Sequence, residues 1–316
     1  MDFRAAVLHE VGRPLIVEQI TLGDLRPRDV LVRVHASGLC HTDLEVIEGA
    51  LAYPLPIVLG HEGAGVVEAV GAEVSLARPG DHVVCSWNPH CGHCFYCDRG
   101  EPILCEVFTR TQPQGYLLDG TSRLSLDSRV VRHFSAVSSH AEHCVVHETS
   151  AIVVPRDIPF DRACLLGCGV MTGVGAVTRI ARVAPGATAL VIGTGAVGLN
   201  AVQGARFAGA GGREATFRLA VEAARPGATV AFLGKVGVDQ QVAFRWGSLM
   251  AEKRLIRSSY GGARPRRDFT WLARQYLEGR LKLDELITQR LPLEQINDGF
   301  VAMAKGNVVR AVLSLN

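Results

Sequence analysis

The sequence predicts an α/β chain whose first half is a β-rich, barrel-like module and whose middle is a shortened, doubly wound parallel-sheet domain. Three observations carry this. The first half breaks into short β-type runs separated by Gly and Pro. Near Asp161 the style changes to helical patterns alternating with short apolar runs. Within that part, GTGAVG at 193–198 lies between an apolar run and a helical one, as in the turn of a nucleotide-binding βα unit.

The elements follow in order. AAVLHE (5–10), LIVEQI (15–20), DVLVRVHASG (29–38) and GAGVVEAVG (63–71) read as strands, and GDHVVCSW (80–87) and HCVVHETSAIVVP (143–155) continue that style. The run 187–192 is expected as the first parallel strand, with a helix over 195–208 behind the glycines. A helix over 216–224 ends at Pro226-Gly227, and strands are expected over 228–233 and 254–259. In RDFTWLARQYLEGRLKL, residues Phe269, Leu272, Ala273, Tyr276 and Leu277 recur at helical spacing. One step is missing. A complete domain of this type has about six parallel strands. Here the chain passes through Gly211-Gly212 straight into a helix, without a second strand ending in an acidic residue.

Length and composition bound the function. A chain of 316 residues suffices for two domains, and 48% hydrophobic with 20% charged residues is a soluble globular balance. A net charge of +2 argues against a strong pull toward nucleic acid or membrane. No apolar run reaches the roughly eighteen residues of a membrane span. The start, MDFRAAVLHE, lacks the apolar core of a signal peptide, so a cytoplasmic protein is expected. In that reducing compartment, nine clustered cysteines point to metal before disulfide.

Residues 91–105 read CGHCFYCDRGEPILC, placing Cys91, Cys94, Cys97 and Cys105 in one loop. Four thiolates there match a closed, tetrahedral, structural zinc site. An iron–sulfur cluster uses the same donors. His90 and His93 read as neighbouring loop residues, and Cys85, Cys144 and Cys164 as core. A second constellation comes from GLCHTDLE (38–45), LGHEGAG (59–65) and LLGCGVMTG (165–173), which supply Cys40, His61 and Cys168. Two sulfurs and one imidazole leave zinc an open position, the arrangement of a catalytic site.

With these motifs, DGTSRL (119–124), His133-Phe134 and the ending INDGFVAMAKGNVVRAVLSL, the chain resembles the zinc-containing medium-chain alcohol dehydrogenases along nearly its whole length. The resemblance implies a GroES-like, barrel-type catalytic domain over 1–169, a truncated Rossmann domain over 170–260, and a return to the catalytic domain over 261–316. It implies two zinc ions per chain and NAD, with NADP not separated from it. The zinc at Cys40, His61 and Cys168 would act as a Lewis acid on the substrate oxygen while hydride passes to the nicotinamide. Thr42 would take the substrate proton, Asp43 would fix the His61 tautomer, and Glu62 would stand beside the metal. His41, Thr172, Gly193, Gly195, Val197, Gly198 and Arg310 would meet the cofactor, the glycines and helix N-terminus at its pyrophosphate. Each of these side chains also has an ordinary reading, such as a turn hydroxyl for Thr42 or a helix cap for Asp43.

The chain departs from the family in places. Many members carry a relay histidine where Glu45 stands here, and a carboxylate can also accept a proton. Trp87, Phe134 and Leu51 match positions lining the substrate pocket, and large aromatics there suit a primary or aromatic alcohol such as benzyl alcohol. The glutathione-dependent formaldehyde branch has an acidic residue at the position of Leu51 and a basic one at Thr109, beside Arg110, so that substrate is disfavoured. Partners are expected to be a small alcohol or aldehyde and a second copy, through an edge strand over 255–262, giving a homodimer or homotetramer. The competing reading is a non-catalytic zinc-binding relative serving as an oligomer partner. Nucleic-acid binding is opposed by the charge balance around residues 91–105.

Overall fold

The computed structural model describes residues 1–208, 217–234, 241 and 243–315. Contacts divide the chain into two units, Met1–Cys168 with Arg264–Asn316, and Gly169–Ala263. The strands of the first unit up to the division are β1 (Asp2–Leu8), β2 (Ile16–Leu22), β3 (Asp29–Gly38), β4 (Ile57–Val58), β5 (Glu62–Val70), β6 (His82–Cys85), β7 (Leu124–Leu126), β8 (Arg129–His133), β9 (His143–His147) and β10 (Ala151–Val153). The second unit holds β11 (Thr229–Phe232) and β12 (Arg254–Arg257), and the first resumes with β13 (Ile287–Leu291) and β14 (Arg310–Ser314). The helices in order are α1 (His41–Ile47), α2 (Phe95–Asp98), α3 (Glu106–Thr111), α4 (Phe160–Leu165), α5 (Met171–Gly175), α6 (Ala196–Phe207), α7 (Phe217–Ala223), α8 (Pro265–Leu277) and α9 (Ile296–Ala304).

In the first unit β1, β2, β7, β8 and β4 close into a barrel. Closure removes sheet edges that would otherwise pair with other chains. A seven-stranded sheet runs β10-β6-β5-β3-β14-β13, with β9 also on β3. One edge of β3 is shared: Asp29 to Arg33 pair with β9, and Ala36 to Gly38 pair with β14. The last strand of the chain therefore lies beside the end of β3, where the second cysteine–histidine constellation begins. Two apolar clusters fill the unit. One contains Leu39, Ile57, Leu59 and Phe134, and the other contains Phe3, Val58, Cys105 and Phe108. Arg123, from the DGTSRL segment, is buried and bonds Asp29 at 2.5 Å and Asp119 at 2.7 Å, which satisfies its charge inside the fold. Cys85, Cys144 and Cys164 are buried, as expected of core residues.

α8 forms where the spacing placed it. Pro265 sits in its first turn, where a missing N–H costs nothing, and Phe269, Leu272 and Ala273 are its buried stripe. The helical run Phe160–Ile180 is apolar and long enough to cross a membrane by length and composition alone. Of its most apolar window, 72% is buried inside the protein, which is how a core helix of a globular protein behaves.

The second unit contains α6 behind the glycine turn, α5 packed on α6, and the parallel pair β11–β12, in register from Thr229↔Arg254 to Phe232↔Arg257. The expected first strand over 187–192 is reduced to a single bridge at Thr188: the run forms no ladder among the described residues, and Leu190 is 44% exposed. A strand exists through the hydrogen bonds of its neighbours. The flanking strands of a full sheet have no counterpart among the described residues. The junction at Ala210 to Gly212 and the start of the helix expected over 216–224 lie outside the described residues.

Candidate metal centres and cofactor turn

Among the described residues two groups of side chains could each hold a metal ion, and in both the ligand atoms lie within 4.8 Å of one another. The first is local. Cys94 caps the short α2 and Cys105 caps α3, so two helix starts fix two of the sulfurs. The Cys91 and Cys97 sulfurs are 3.9 Å apart, and the Cys91 N–H donates to the Cys105 sulfur at 3.3 Å. A tetrahedron with 2.3 Å metal–sulfur bonds has edges of about 3.8 Å, so this spacing needs little adjustment. Cys105 is fully buried in the second apolar cluster, which ties the loop to the barrel. The thiols cannot ionise together unaided. Burial, joined by the neighbouring Cys94 and Cys105, pushes Cys97 up to about 12. Cys94 falls to about 6, because backbone N–H groups of Cys97 and Glu106 and the adjacent thiols outweigh burial. A dication would allow all four to lose their protons.

The second group is assembled from three segments. Gly38, the last residue of β3, pairs with Glu62, the first of β5, and Leu39 bonds the carbonyl of Ala311 at 2.9 Å. That register sets Cys40 and His61 side by side just past the two strand ends. Cys168 arrives from α4 through a π-helical turn, Leu166–Val170. Such turns reposition single side chains and recur at functional sites.

Asp43 ties the pieces together. It is fully buried, and it accepts from the Cys40 N–H at 3.2 Å, the Gly60 N–H at 2.9 Å and His61 Nδ1 at 3.3 Å. The N-cap of α1 is Cys40 and not Asp43, whose carboxylate reaches back from the third helical position to the Cys40 N–H while it also meets His61. A proton on Nδ1 leaves Nε2 as the donor atom. Burial opposes a charge on His61, but Asp43 and the Cys40 sulfur lift it to about 10. The Cys40 thiol is held well below its ordinary value, chiefly by its hydrogen bond with Cys168, then against burial by His61 and Arg310. Without metal the cluster carries a thiolate beside an imidazolium, the charge pattern a dication would replace.

Glu62 is the fourth member of this group. Its Oε2 accepts from buried Arg310, and its buried Oε1 has no hydrogen-bond partner. A lone carboxylate oxygen among two thiols and an imidazole fits a cation. Arg310, expected at the cofactor, therefore spends its guanidinium on Glu62. No motif or spacing signals that pair, whose members lie 248 positions apart.

The remaining positions are placed as follows. The Thr42 hydroxyl lies 3.8 Å from the Cys40 sulfur, and Glu45 follows on the same face of α1, partly exposed. His41 opens α1 and is exposed. Phe134 is fully buried and meets His61 edge-to-face at 5.4 Å. Leu51 and Trp87 pack against the cluster that contains Phe134. Tyr53 was missed: its ring meets Phe134 at 5.1 Å and its hydroxyl accepts from Gln112. In the second unit Gly193 has φ +106° and Gly195 caps α6. A Cβ on Gly198 would lie 1.7 Å from the Gly193 carbonyl oxygen, so only glycine closes this turn. Val197 is in the first turn of α6, and Thr172 is in α5, which packs on α6.

Comparison with known proteins places this geometry. The alcohol dehydrogenase GroES-like domain matches residues 26–185. An S-(hydroxymethyl)glutathione dehydrogenase of Candida maltosa is 31% identical over 369 aligned positions, covering 99% of this chain and 97% of that one. Those 369 positions exceed the 316 residues present here by 53, so at least 53 of them stand opposite no residue of this chain. Among solved structures, an alcohol dehydrogenase zinc-binding domain protein of Burkholderia ambifaria superposes with a TM-score of 0.94 at 32% identity, covering 100% and 99% of the two chains. A benzyl alcohol dehydrogenase of Acinetobacter calcoaceticus does so with a TM-score of 0.91 at 27% identity, covering both chains fully.

Proposed function

The chain belongs to the zinc-containing medium-chain alcohol dehydrogenases, enzymes that work with zinc and a nicotinamide cofactor, and from that premise we propose that it oxidises primary or aromatic alcohols, benzyl alcohol among them. The observation that carries the reading is the convergence of Cys40, His61 and Cys168 within 4.8 Å, with Phe134 packed on the imidazole. These three would hold the catalytic zinc, and Cys91, Cys94, Cys97 and Cys105 a structural one. When bound, the zinc supplies Lewis acidity and the nicotinamide accepts hydride.

The side chains of this chain do the rest. Asp43 orients His61. Arg310 neutralises Glu62, so two thiolates and an imidazole set the charge of the site. The Thr42 hydroxyl takes the proton of the substrate hydroxyl, and Glu45, one turn further along α1, passes it toward solvent. Phe134, Trp87 and Leu51 exclude water and favour a flat or slender substrate. The glycine turn at 193–198 and the N-terminus of α6 take the pyrophosphate, with Thr172 as a further cofactor contact. Nine free cysteines and no disulfide among the described residues suit a reducing cytoplasm. The edge of β12 is where a second copy would pair.

The test is the absorbance at 340 nm with NAD and two substrates in parallel, benzyl alcohol and formaldehyde with glutathione. Turnover of benzyl alcohol alone is expected, because Leu51 and Thr109 lack the charges a glutathione adduct needs. Turnover of the glutathione adduct alone would transfer the assignment to that branch.

A further inference from the structure

The segment Phe134 to Ala141 is strained and buried, and the roles of the metal-ligating and pocket residues do not account for it. Ser135, Ala136 and Ser138 all have positive φ, at 50°, 53° and 62°. Three non-glycine residues in the left-handed region within four positions are costly, and they persist only where the surroundings enforce them. Strain of this kind gathers at functional sites.

What enforces it is the strand that leads to His61. The Phe134 N–H donates to the Val58 carbonyl directly at 3.2 Å, and the Ser138 hydroxyl braces that pair, accepting from the same N–H at 3.0 Å and donating to the same carbonyl at 2.9 Å. The Ser139 N–H donates to the Gly60 carbonyl at 2.9 Å, and the His140 N–H to the Leu59 carbonyl at 3.0 Å. Three consecutive residues therefore grip Val58, Leu59 and Gly60, immediately before the imidazole. Gly60 has φ +92°, and a Cβ there would come within 2.5 Å of the His140 ring. From the other side Asp43 holds the Gly60 N–H at 2.9 Å. The approach to His61 is clamped from both sides, and the loop also begins with Phe134, whose ring lies on His61.

We infer that Ser138 is a positioning residue for the metal site of Cys40, His61 and Cys168. Its hydroxyl braces the direct bond between Phe134, which packs on His61, and Val58, whose strand leads to His61, and so sets the aim of the imidazole. The inference rests on the zinc assignment made under Proposed function. Supporting partners of a metal-bound histidine typically govern affinity by about 10- to 100-fold. Ser138 acts one step further out, so an effect of about 10-fold is expected.

The experiment compares Ser138→Ala and Ser138→Gly with the parent protein. Both remove the hydroxyl, and Gly also relieves the positive φ, so it is the variant that keeps its fold. Zinc release to a chelator is followed site by site, with the four-thiolate site as the internal gauge of an intact first unit. The mixed site is also loaded with cobalt and its visible absorption recorded. Release about 10-fold faster from the mixed site in both variants, with a shifted cobalt spectrum and the four-thiolate zinc retained, supports the proposal. Release and spectrum unchanged in both would overturn it. A defect in Ala that Gly repairs also overturns it, since backbone strain and not the hydroxyl would then be the cause. A parent protein that holds one zinc and not two removes the catalytic assignment itself, and the positioning role with it.

Discussion

The two metal-competent clusters of the first unit are built in opposite ways. Cys91, Cys94, Cys97 and Cys105 come from one fifteen-residue stretch, each a few bonds from a short helix, and their sulfurs meet with little help from elsewhere. Cys40, His61 and Cys168 span 129 positions of sequence, and they meet only because β3, β5 and α4 are already folded. A local cluster can close on metal while the loop orders, so its metal contributes directly to folding. A dispersed cluster inherits its geometry from the fold and can leave a coordination position free for chemistry. The supporting contacts differ accordingly. The local site is held by backbone N–H groups of its own loop, the dispersed site by Asp43, Arg310 and the Ser138 segment.

The comparison breaks most plainly on one ligand from each. Cys168→Ser should reduce benzyl alcohol turnover by at least about 10³-fold, with the melting temperature little changed, because the fold places this site and does not depend on it. Cys105→Ser should do the reverse. A loss of about 3 kcal/mol would lower the melting temperature by roughly 10 °C, with turnover per folded molecule retained. Full activity in Cys168→Ser, or an unchanged melting temperature in Cys105→Ser, would undo the division of roles.

Proton competition sharpens the contrast. At the dispersed site a metal must displace the proton from His61, which Asp43 and Cys40 lift to about 10 against burial. Zinc uptake there should strengthen by up to about tenfold per pH unit between pH 7 and 10, from that proton alone. The metal-free protein should show the opposite trend. A folded-state value above the unfolded one of about 6.5 gives stability that is complete below about pH 6.5 and is lost as pH rises through about 10. Competitive zinc titration and melting curves across that range are the measurements. Asp43→Asn should flatten both trends, and a pH-independent uptake would show that His61 is neutral before metal arrives.

What was legible in the sequence follows the same divide. The four-thiolate loop is readable because its spacing is itself the geometry. The dispersed triad is readable only through three motifs taken together with the resemblance to a family. The clamp at Ser138 is not readable at all. Its bonds reach back 80 residues, and Ser135, Ala136 and Ser138 carry no compositional sign of a positive φ. Nor did the sequence show Arg310 paired with Glu62, since both residues are plausible at an anion or a metal. The run 187–192 illustrates the converse error. Its apolar pattern is right for a central strand, but a strand needs partners, and the 53 or more positions missing against the Candida maltosa relative leave room for their loss.

Thr42→Ala tests the chemistry beside the dispersed site. A hydroxyl that moves a proton acts in the transition state, so kcat should fall by about 10²-fold with KM nearly unchanged. A rise in KM with kcat intact would make Thr42 a binding residue only.

The smallest effect is expected at Glu45. It follows Thr42 by three positions on α1, which puts both side chains on one face of the helix, and it is partly exposed where Asp43, between them, is buried. A proton leaving Thr42 would have a carboxylate on the path to water where many relatives of this family have an imidazole. Glu45→Gln keeps the size and the hydrogen bonds but cannot take up a proton. If the carboxylate carries the proton, turnover should fall only a few-fold at neutral pH, since water can substitute, and the fall should deepen toward acid pH, where hydroxide and buffer bases are scarce. Added imidazole should restore the lost rate in the variant and leave the parent unaffected. A pH profile identical to the parent, without rescue, would place Glu45 on the surface of α1 with no part in the reaction, and proton release would then run from Thr42 to solvent directly.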